Sequence, residues 1–448
     1  MADLRTDFLG IKSPNPFWLA SAPPTDKEVN VVRAFRAGWG GVVWKTLGED
    51  PPVVNVAGPR YGAIHAGDRR LIGLNNIELI TDRALQVNLQ EIKRVKKDWP
   101  DRALVVSLMV PCEEPNWKFI LAAVEETGCD GVELNFGCPH GMSERGMGSA
   151  VGQVPEYIEM VARWCKAATR MPVIVKLTPN ITDIRYPARA ARKGGADAVS
   201  LINTINSITN VDLDLFAPVP TIDGKGSHGG YCGPAVKPIA LSMVSEIARD
   251  RETRGMPISG IGGITTWRDA AEFMALGAGT VQVCTAAMTY GFKIISEMTS
   301  GLSRYLDGKG MSLSDLVGRA VPNVTDWQQL NLNYVTKARI NQDLCIECGR
   351  CHIVCEDASH QAITSVKDGR RHFEVIDSEC VGCNLCVNVC PVENCITMER
   401  ITEGVDPHTG APATGYRNWT THPNNPMAKP PANAAPASSR PMAVEPAE

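Results

Sequence analysis

An α/β chain built on a barrel of eight strand–helix units, followed by a small cysteine-rich domain and a disordered tail, is predicted by three features of the sequence. Eight short apolar runs rich in β-branched residues alternate with segments of helical periodicity between residues 17 and 306. Nine of the fifteen cysteines fall between Cys345 and Cys395, which marks a change of domain. From about Glu403 the chain is dominated by proline, alanine and serine, a composition that cannot bury enough apolar surface to order itself. The boundaries read from these shifts are 1–310 for the barrel, 311–336 for a helical linker, 337–402 for the second domain and 403–448 for the tail.

In chain order, residues 4–17 read as a short hairpin with the SPNPF stretch as its turn. The eight strand-like runs are Phe17–Ser21, Gly41–Thr46, Leu104–Met109, Val132–Phe136, Val173–Thr178, Ala198–Thr204, Pro257–Gly263 and Val281–Thr285. Between them, Asn116–Thr127, Pro155–Ala168, Ala235–Arg249, Trp267–Leu276 and Tyr290–Leu306 carry the 3.6-residue period of helices. Parallel strands joined by helical crossovers, eight in number, imply closure into a (β/α)8 TIM barrel. An open doubly wound sheet would announce itself by a G-x-G-x-x-G turn after an early strand, and none is present. Two long connections, residues 47–80 and 205–233, follow the second and sixth strands and read as lids.

A hydrophobic fraction of 44% and a charged fraction of 21% fit a soluble globular protein. The net charge of -4 gives no electrostatic reason to expect nucleic acid, and no apolar run is long enough to span a membrane. The opening MADLRTDFLG has no basic-then-apolar pattern of a secretion signal, so a cytoplasmic location is expected. In a reducing compartment the many cysteines point to metal or catalytic thiols, not to a disulfide framework.

Barrels of this kind work at the carboxyl ends of their strands, and polar residues gather there. The second run ends in Lys45 and Thr46, the fourth in Asn135, the fifth in Lys176 and the sixth in Asn203 and Thr204. Alternation places Glu133 with Asn135, and Ile174 with Lys176, on one face. Two lysines and a glutamate inside a barrel must pair or meet a charged ligand, because unpaired buried charge is too costly. Glycine-rich Ser259–Gly263 closes the seventh run and Cys284–Thr285 the eighth, the usual phosphate site of this fold. The fourth run also delivers Cys138 and His140 into a glycine-rich loop; an ordinary packed thiol is the bland alternative for Cys138.

In the second domain, Cys345, Cys348, Cys351 and Cys355 are followed 35 residues later by Cys380, Cys383, Cys386 and Cys390, with Pro391 next. This repeat is the signature of a ferredoxin-like domain with two 4Fe-4S clusters, in which each run gives its fourth cysteine to the other cluster. Cys345, Cys348, Cys351 and Cys390 would then hold one cluster, and Cys355, Cys380, Cys383 and Cys386 the other. Structural zinc needs only four ligands and has no use for this three-plus-one pattern. Cys395 is left as a packed thiol. Ten acidic against five basic residues between Ile340 and Arg400 are compatible with docking on a basic partner surface. A barrel with a phosphate site and appended clusters suggests a flavin fed with single electrons, since flavin takes electrons singly and delivers hydride.

The stretches VELNFGCPHG, IGLNNIE, VKLTPNITDI, LINT, GYCGPAVKPIAL, SGIGGI and VQVCTA resemble the FMN barrel of the dihydropyrimidine dehydrogenase family. The fused C-terminal domain is similar to the bacterial FMN and iron–sulfur subunits of the NAD-dependent enzymes, and the likeness runs over residues 4–402. The resemblance implies reduction of the 5,6 double bond of uracil or thymine, with electrons from a separate subunit that binds FAD and oxidises NAD(P)H, hence a hetero-oligomer. It implies FMN contacts from Ala20, Ser21, Lys45, Thr46, Lys176, Asn203, Thr204, Gly233, Gly262, Gly263, Cys284 and Thr285. It implies pyrimidine contacts from Asn76, Glu78, Asn135, Asn203 and Thr204, and amides do offer the donor and acceptor that a uracil edge needs. Cys138 would protonate C5 after hydride reaches C6, a task suited to a thiol with an ordinary pKa of about 8.5. His140 would orient it or relay its proton. Gly137 stands where the related flavin enzymes commonly carry serine. Dihydroorotate dehydrogenase shares the barrel, FMN and the Asn-x-x-Cys-Pro loop, but not the fused domain; a pure electron carrier is the third reading.

Overall fold

The computed structural model describes residues 2–52, 54–139, 146–330 and 335–401. His140 and the tail expected from residue 403 lie outside them. The chain divides into two compact units, residues 1–324 and 325–448.

The first unit is a closed parallel barrel. Its strands are β1 (Phe17–Leu19), β2 (Gly41–Leu47), β3 (Ala103–Leu108), β4 (Gly131–Asn135), β5 (Val173–Lys176), β6 (Ala198–Leu201), β7 (Ile258–Ile261) and β8 (Ala278–Val283). They pair in sequence order, and β8 closes on β1. All eight lie within two or three residues of the runs read from the sequence. Amphipathic helices cover the outside because their starts and stops are encoded locally. Pro155 opens the helix Pro155–Ala168 within its first turn. Thr266 and Asp269 form a reciprocal cap on the helix Trp267–Ala275. Left-handed Gly38 ends the helix Glu28–Ala37.

Inside the barrel, Trp18, Val43, Ala103, Val105, Ile174 and Ala198 form an apolar layer. Phe8 and Ile11 of the N-terminal hairpin pack onto it, Phe8 edge-on to Trp18 at 5.8 Å. The hairpin therefore plugs the end of the barrel away from the strands' carboxyl ends. Its turn is not SPNPF. The strands are Thr6–Phe8 and Ile11–Ser13, and Leu9 and Gly10 turn the chain with positive φ of 64° and 83°. Asp7 Oδ1 accepts from the Gly10 N–H at 2.7 Å, as two-residue hairpins prefer. The SPNPF stretch instead anchors β1: Asn15 donates to the Gly38 carbonyl and accepts from the Phe17 N–H.

The two long connections are not independent lids. Strands Tyr61–His65 and Leu71–Asn76 from the first join Ile205–Ser207 and Gly229–Cys232 from the second in one four-stranded antiparallel sheet.

The second unit contains two antiparallel strand pairs. β9 (Val335–Ile340) pairs with β12 (Ile396–Ile401), and β10 (Ile363–Asp368) pairs with β11 (Arg370–Val375). Helices Arg350–Glu356 and Leu385–Val389 carry cysteines into a core shared with Phe373, Ile363 and Ile396. The stretch 311–324, read from sequence as linker, falls in the first unit, where Leu313 and Leu316 are buried. No helix among the described residues is long and apolar enough to cross a membrane.

Candidate active site and cysteine cavities

Every described residue assigned above to flavin or pyrimidine, together with Cys138, lines one pocket at the carboxyl ends of the barrel strands. The pocket encloses about 1270 Å³ including its open mouth, room for a cofactor and a small ring together.

Its floor is polar by design of the strand alternation. One step above the apolar layer, Glu133 accepts from Ser200 Oγ at 2.7 Å and from Gln282 Nε2 at 3.0 Å, while Lys176 Nζ lies 3.5 Å from its other oxygen. Gln282 also donates to Ser259, which accepts from Thr280. Glu133 is wholly buried, so these donors hold a charge that would otherwise be prohibitive. Gln282 was not singled out from the sequence. The signal was there, an amide flanked by Val281 and Val283 in a strand run.

Lys45 does not join Glu133. Its Nζ is 3.0 Å from Glu78 and 3.9 Å from Asp26, and Arg60 holds the other Glu78 oxygen at 3.2 Å. Burial pushes the Asp26 carboxyl up, against the opposing hydrogen bond from Thr81 and the charge of Lys45. Consecutive residues Lys45 and Thr46 both reach the pocket because β2 carries one extra residue against β3 between Trp44 and Leu47, the re-aiming a β-bulge performs.

Above the floor an amide cluster forms. Asn135 Nδ2 donates to Thr46 Oγ1 at 3.1 Å, and its Oδ1 accepts from Asn203 Nδ2 at 2.9 Å and from the Gly137 N–H at 3.2 Å. Asn203 Oδ1 accepts from the Thr204 N–H. A Cβ on Gly137 would stand 2.4 Å from Asn203 Cβ and 2.6 Å from its Nδ2. The glycine is what lets the two asparagines meet. Asn76 Nδ2 donates to the Gly230 carbonyl at 3.0 Å, tying the two lid segments.

Cys138 is 8% exposed and packs with Ile80, Met109 and Met147. Its carbonyl accepts from the Ser149 N–H, and Gly148 presses so close that a Cβ there would meet that carbonyl at 2.8 Å. At the far end, Gly262 and Gly263 have φ of +131° and +71°, and a side chain on either would strike Ala240 or the Gly233 carbonyl. The loop is thus an unobstructed backbone cradle. Burial, reinforced by nearby Cys232, pushes the Cys284 thiol up to about 12, and burial raises Cys232 as well. Both line the cradle as neutral thiols. The residues fit a flavin: the bare glycine loop for its phosphate, two lysines along the wall, and a buried Gln282 oxygen with no protein donor among the described residues, an acceptor for an N–H of the ring.

The second unit has two separate cavities. One is lined by Cys345, Cys348, Cys351 and Cys390, the other by Cys355, Cys380, Cys383 and Cys386. The fourth thiol of each comes from the other run. Backbone N–H groups of Glu347, Ala338 and Ala362 point at Cys345, Cys380 and Cys355 sulfurs at 3.3–3.5 Å, which suits thiolates binding a cluster. Cys395 lines the first cavity, is buried and lies 3.6 Å from the Asn341 carbonyl.

Residues 3–306 match the dihydroorotate dehydrogenase family, and residues 338–398 match the 4Fe-4S dicluster domain. Over 401 residues the chain is 44% identical to the NAD-dependent dihydropyrimidine dehydrogenase subunit PreA of Escherichia coli (strain K12), covering 89% of this chain and 96% of that one. This chain belongs to the dihydropyrimidine dehydrogenase family. It is therefore an oxidoreductase, a TIM barrel with an iron–sulfur domain. The chloroplastic NADP(+) dihydropyrimidine dehydrogenase of Arabidopsis thaliana is 42% identical over 313 residues, 68% of this chain and 73% of that one. In fold, the chain is similar to the crystal structure of DHODH from Eimeria tenella in complex with ferulenol, with a TM-score of 0.58 and 18% identity over 70% of this chain and 88% of that one.

Proposed function

We propose that this chain reduces the 5,6 double bond of uracil or thymine, using FMN in the barrel and electrons delivered through two 4Fe-4S clusters from an FAD-containing, NAD(P)H-oxidising partner subunit. The observation that carries the reading is the convergence of Asn135, Asn203 and Cys138 in one pocket with Lys45 and Lys176. Bound FMN would supply the hydride, and clusters held by the two cysteine sets would supply single electrons. The chain's own residues do the rest. Lys45, Lys176 and the Gly262–Gly263 cradle hold the cofactor, and Cys284 and Thr285 close the phosphate end. Asn135 and Asn203, flanked by Asn76 and Thr204, offer amide donors and acceptors to the pyrimidine edge. Glu78 fixes Lys45 within that wall. Cys138, held by Gly148 and the Ser149 N–H, gives its thiol proton to C5 and exchanges it with solvent through the open mouth. The partner reading is supported by the PreA relative, which is named as a subunit of an NAD-dependent enzyme.

Dihydroorotate dehydrogenase is the second reading, favoured by the family matched over the barrel. The dicluster domain, included in the 96% coverage of PreA, favours the first. The test is anaerobic addition of uracil, thymine or orotate to the reduced, cofactor-loaded protein. Flavin reoxidation by uracil or thymine is expected. Reoxidation by orotate alone would establish the second reading, and reoxidation by none would sink both.

A further inference from the structure

Both cysteine cavities have a cation at the carbonyl of a ligand cysteine, but the two cations are not alike. Lys337 on β9 is 3% exposed, and its ammonium donates to the Cys380 carbonyl. That carbonyl is its one hydrogen-bond partner among the described residues. Glu399, opposite it across the β9–β12 ladder, is taken up by Arg339 at 2.6 Å, as is Asp377. At the other cavity, Arg370 donates to the Cys345 carbonyl at 3.0 Å, yet its side chain is 62% exposed and is paired with Glu347. Water and a carboxylate screen that charge. Among the described residues nothing comparable screens Lys337.

Backbone N–H groups do not separate the two cavities: those of Ala338, Ala362 and Val387 face the Cys380, Cys355 and Cys386 sulfurs, and those of Glu347, His352 and Cys351 face the Cys345 and Cys351 sulfurs, so the cation is what differs. Gly382 holds the geometry, since it lies so tightly on β9 that a Cβ would stand 2.1 Å from the Thr336 carbonyl. Adding one electron to a cluster makes it more negative with no bond made or broken. A nearby unscreened cation and N–H···S bonds favour that state, and both raise a cluster's potential.

We infer that Lys337 is a potential-setting residue. It makes the cluster of Cys355, Cys380, Cys383 and Cys386 the higher-potential one of the pair, so that an electron entering this domain settles there first. The inference rests on the two-cluster reading above. It assigns the lysine no contact with substrate or flavin.

The experiment is an anaerobic redox titration of the full-length, cluster-loaded protein, followed by electron paramagnetic resonance. Loss of one signal in Cys383→Ser identifies the cluster concerned. Wild-type protein should show two distinct one-electron midpoints, the higher belonging to that cluster. Lys337→Met and Lys337→Gln should lower that midpoint and leave the other in place, while Lys337→Arg should keep both. Unchanged midpoints in the neutral variants, equal movement of both clusters, or movement of the Cys345 cluster alone would overturn the inference. So would loss of the cluster in both neutral variants, which would make the lysine structural. Wild-type protein with fewer than two clusters would instead overturn the proposed function.

Discussion

Gly137→Ala places a methyl group where the structure has no room. Its carbon would stand 2.4 Å from Asn203 Cβ, and ordinary contact begins at 3.4 Å, so Asn203 must retreat by about 1 Å, enough to break its 2.9 Å bond to Asn135. Overpacking of this kind costs about 1–3 kcal/mol, and the lost hydrogen bond about 0.5–1.5 kcal/mol more. If the two amides bind the pyrimidine edge together, part of that loss falls on the transition state. At about 1.4 kcal/mol per decade, kcat/KM for uracil should fall roughly ten- to hundredfold. Gly137→Ser should behave alike, because its hydroxyl hangs from the same carbon. The assay is steady-state reduction of uracil with the electron-donating partner present, alongside flavin content and thermal unfolding. Full activity and unchanged melting in both variants would refute the reasoning, since Asn203 would then have moved at no cost.

Two other outcomes follow from the site and its supports. Cys138→Ala should retain FMN and both clusters but lose pyrimidine reduction by about 10²–10⁴-fold, the usual worth of a positioned acid; unchanged turnover would remove Cys138 from the mechanism. Burial works against the Asp269 charge, but the Lys237 ammonium at 2.6 Å and the Thr265 and Thr266 N–H groups outweigh it and hold the carboxyl below its ordinary value. A depressed carboxyl stabilises the fold above the unfolded pKa of about 3.9 and loses that contribution as pH falls through the folded one. Asp269→Asn should therefore be less stable than wild type by about 1–2 kcal/mol at pH 7, with the gap closing below about pH 4 when barrel unfolding is followed by tryptophan fluorescence. A gap independent of pH would show that the charge is not what matters.

The barrel was legible because its signals are local. β-Branched runs and 3.6-residue periods are written in consecutive residues, and polar residues such as Lys176 and Asn135 interrupt them at strand ends. The sorting of the thiols between two cavities was legible for a similar reason, the spacing marking which run places its fourth thiol with the other. What escaped the sequence is non-local. Glu78, not Glu133, neutralises Lys45, and that follows from the path of a long connection. The four-stranded sheet joins Asn76 to Gly230 across 154 residues, and neither segment carries a mark naming its partner. The extra residue in β2 depends on register with β3, which no single strand records. SPNPF misled because proline and asparagine signal turns generally, while Leu9 and Gly10 turn through a left-handed pair whose first member is an unlikely leucine.

Among the described residues, the hairpin that seats Phe8 and Ile11 at the far end of the barrel leaves the mouth at the strands' carboxyl ends as the way in. Whatever binds inside must come and go past the same rim, so molecules seated at different depths queue: the deeper arrives before the shallower and cannot leave while it stays. A deep occupant therefore exchanges only in the intervals when the shallow place is empty, and its residence lengthens as the shallow place is filled.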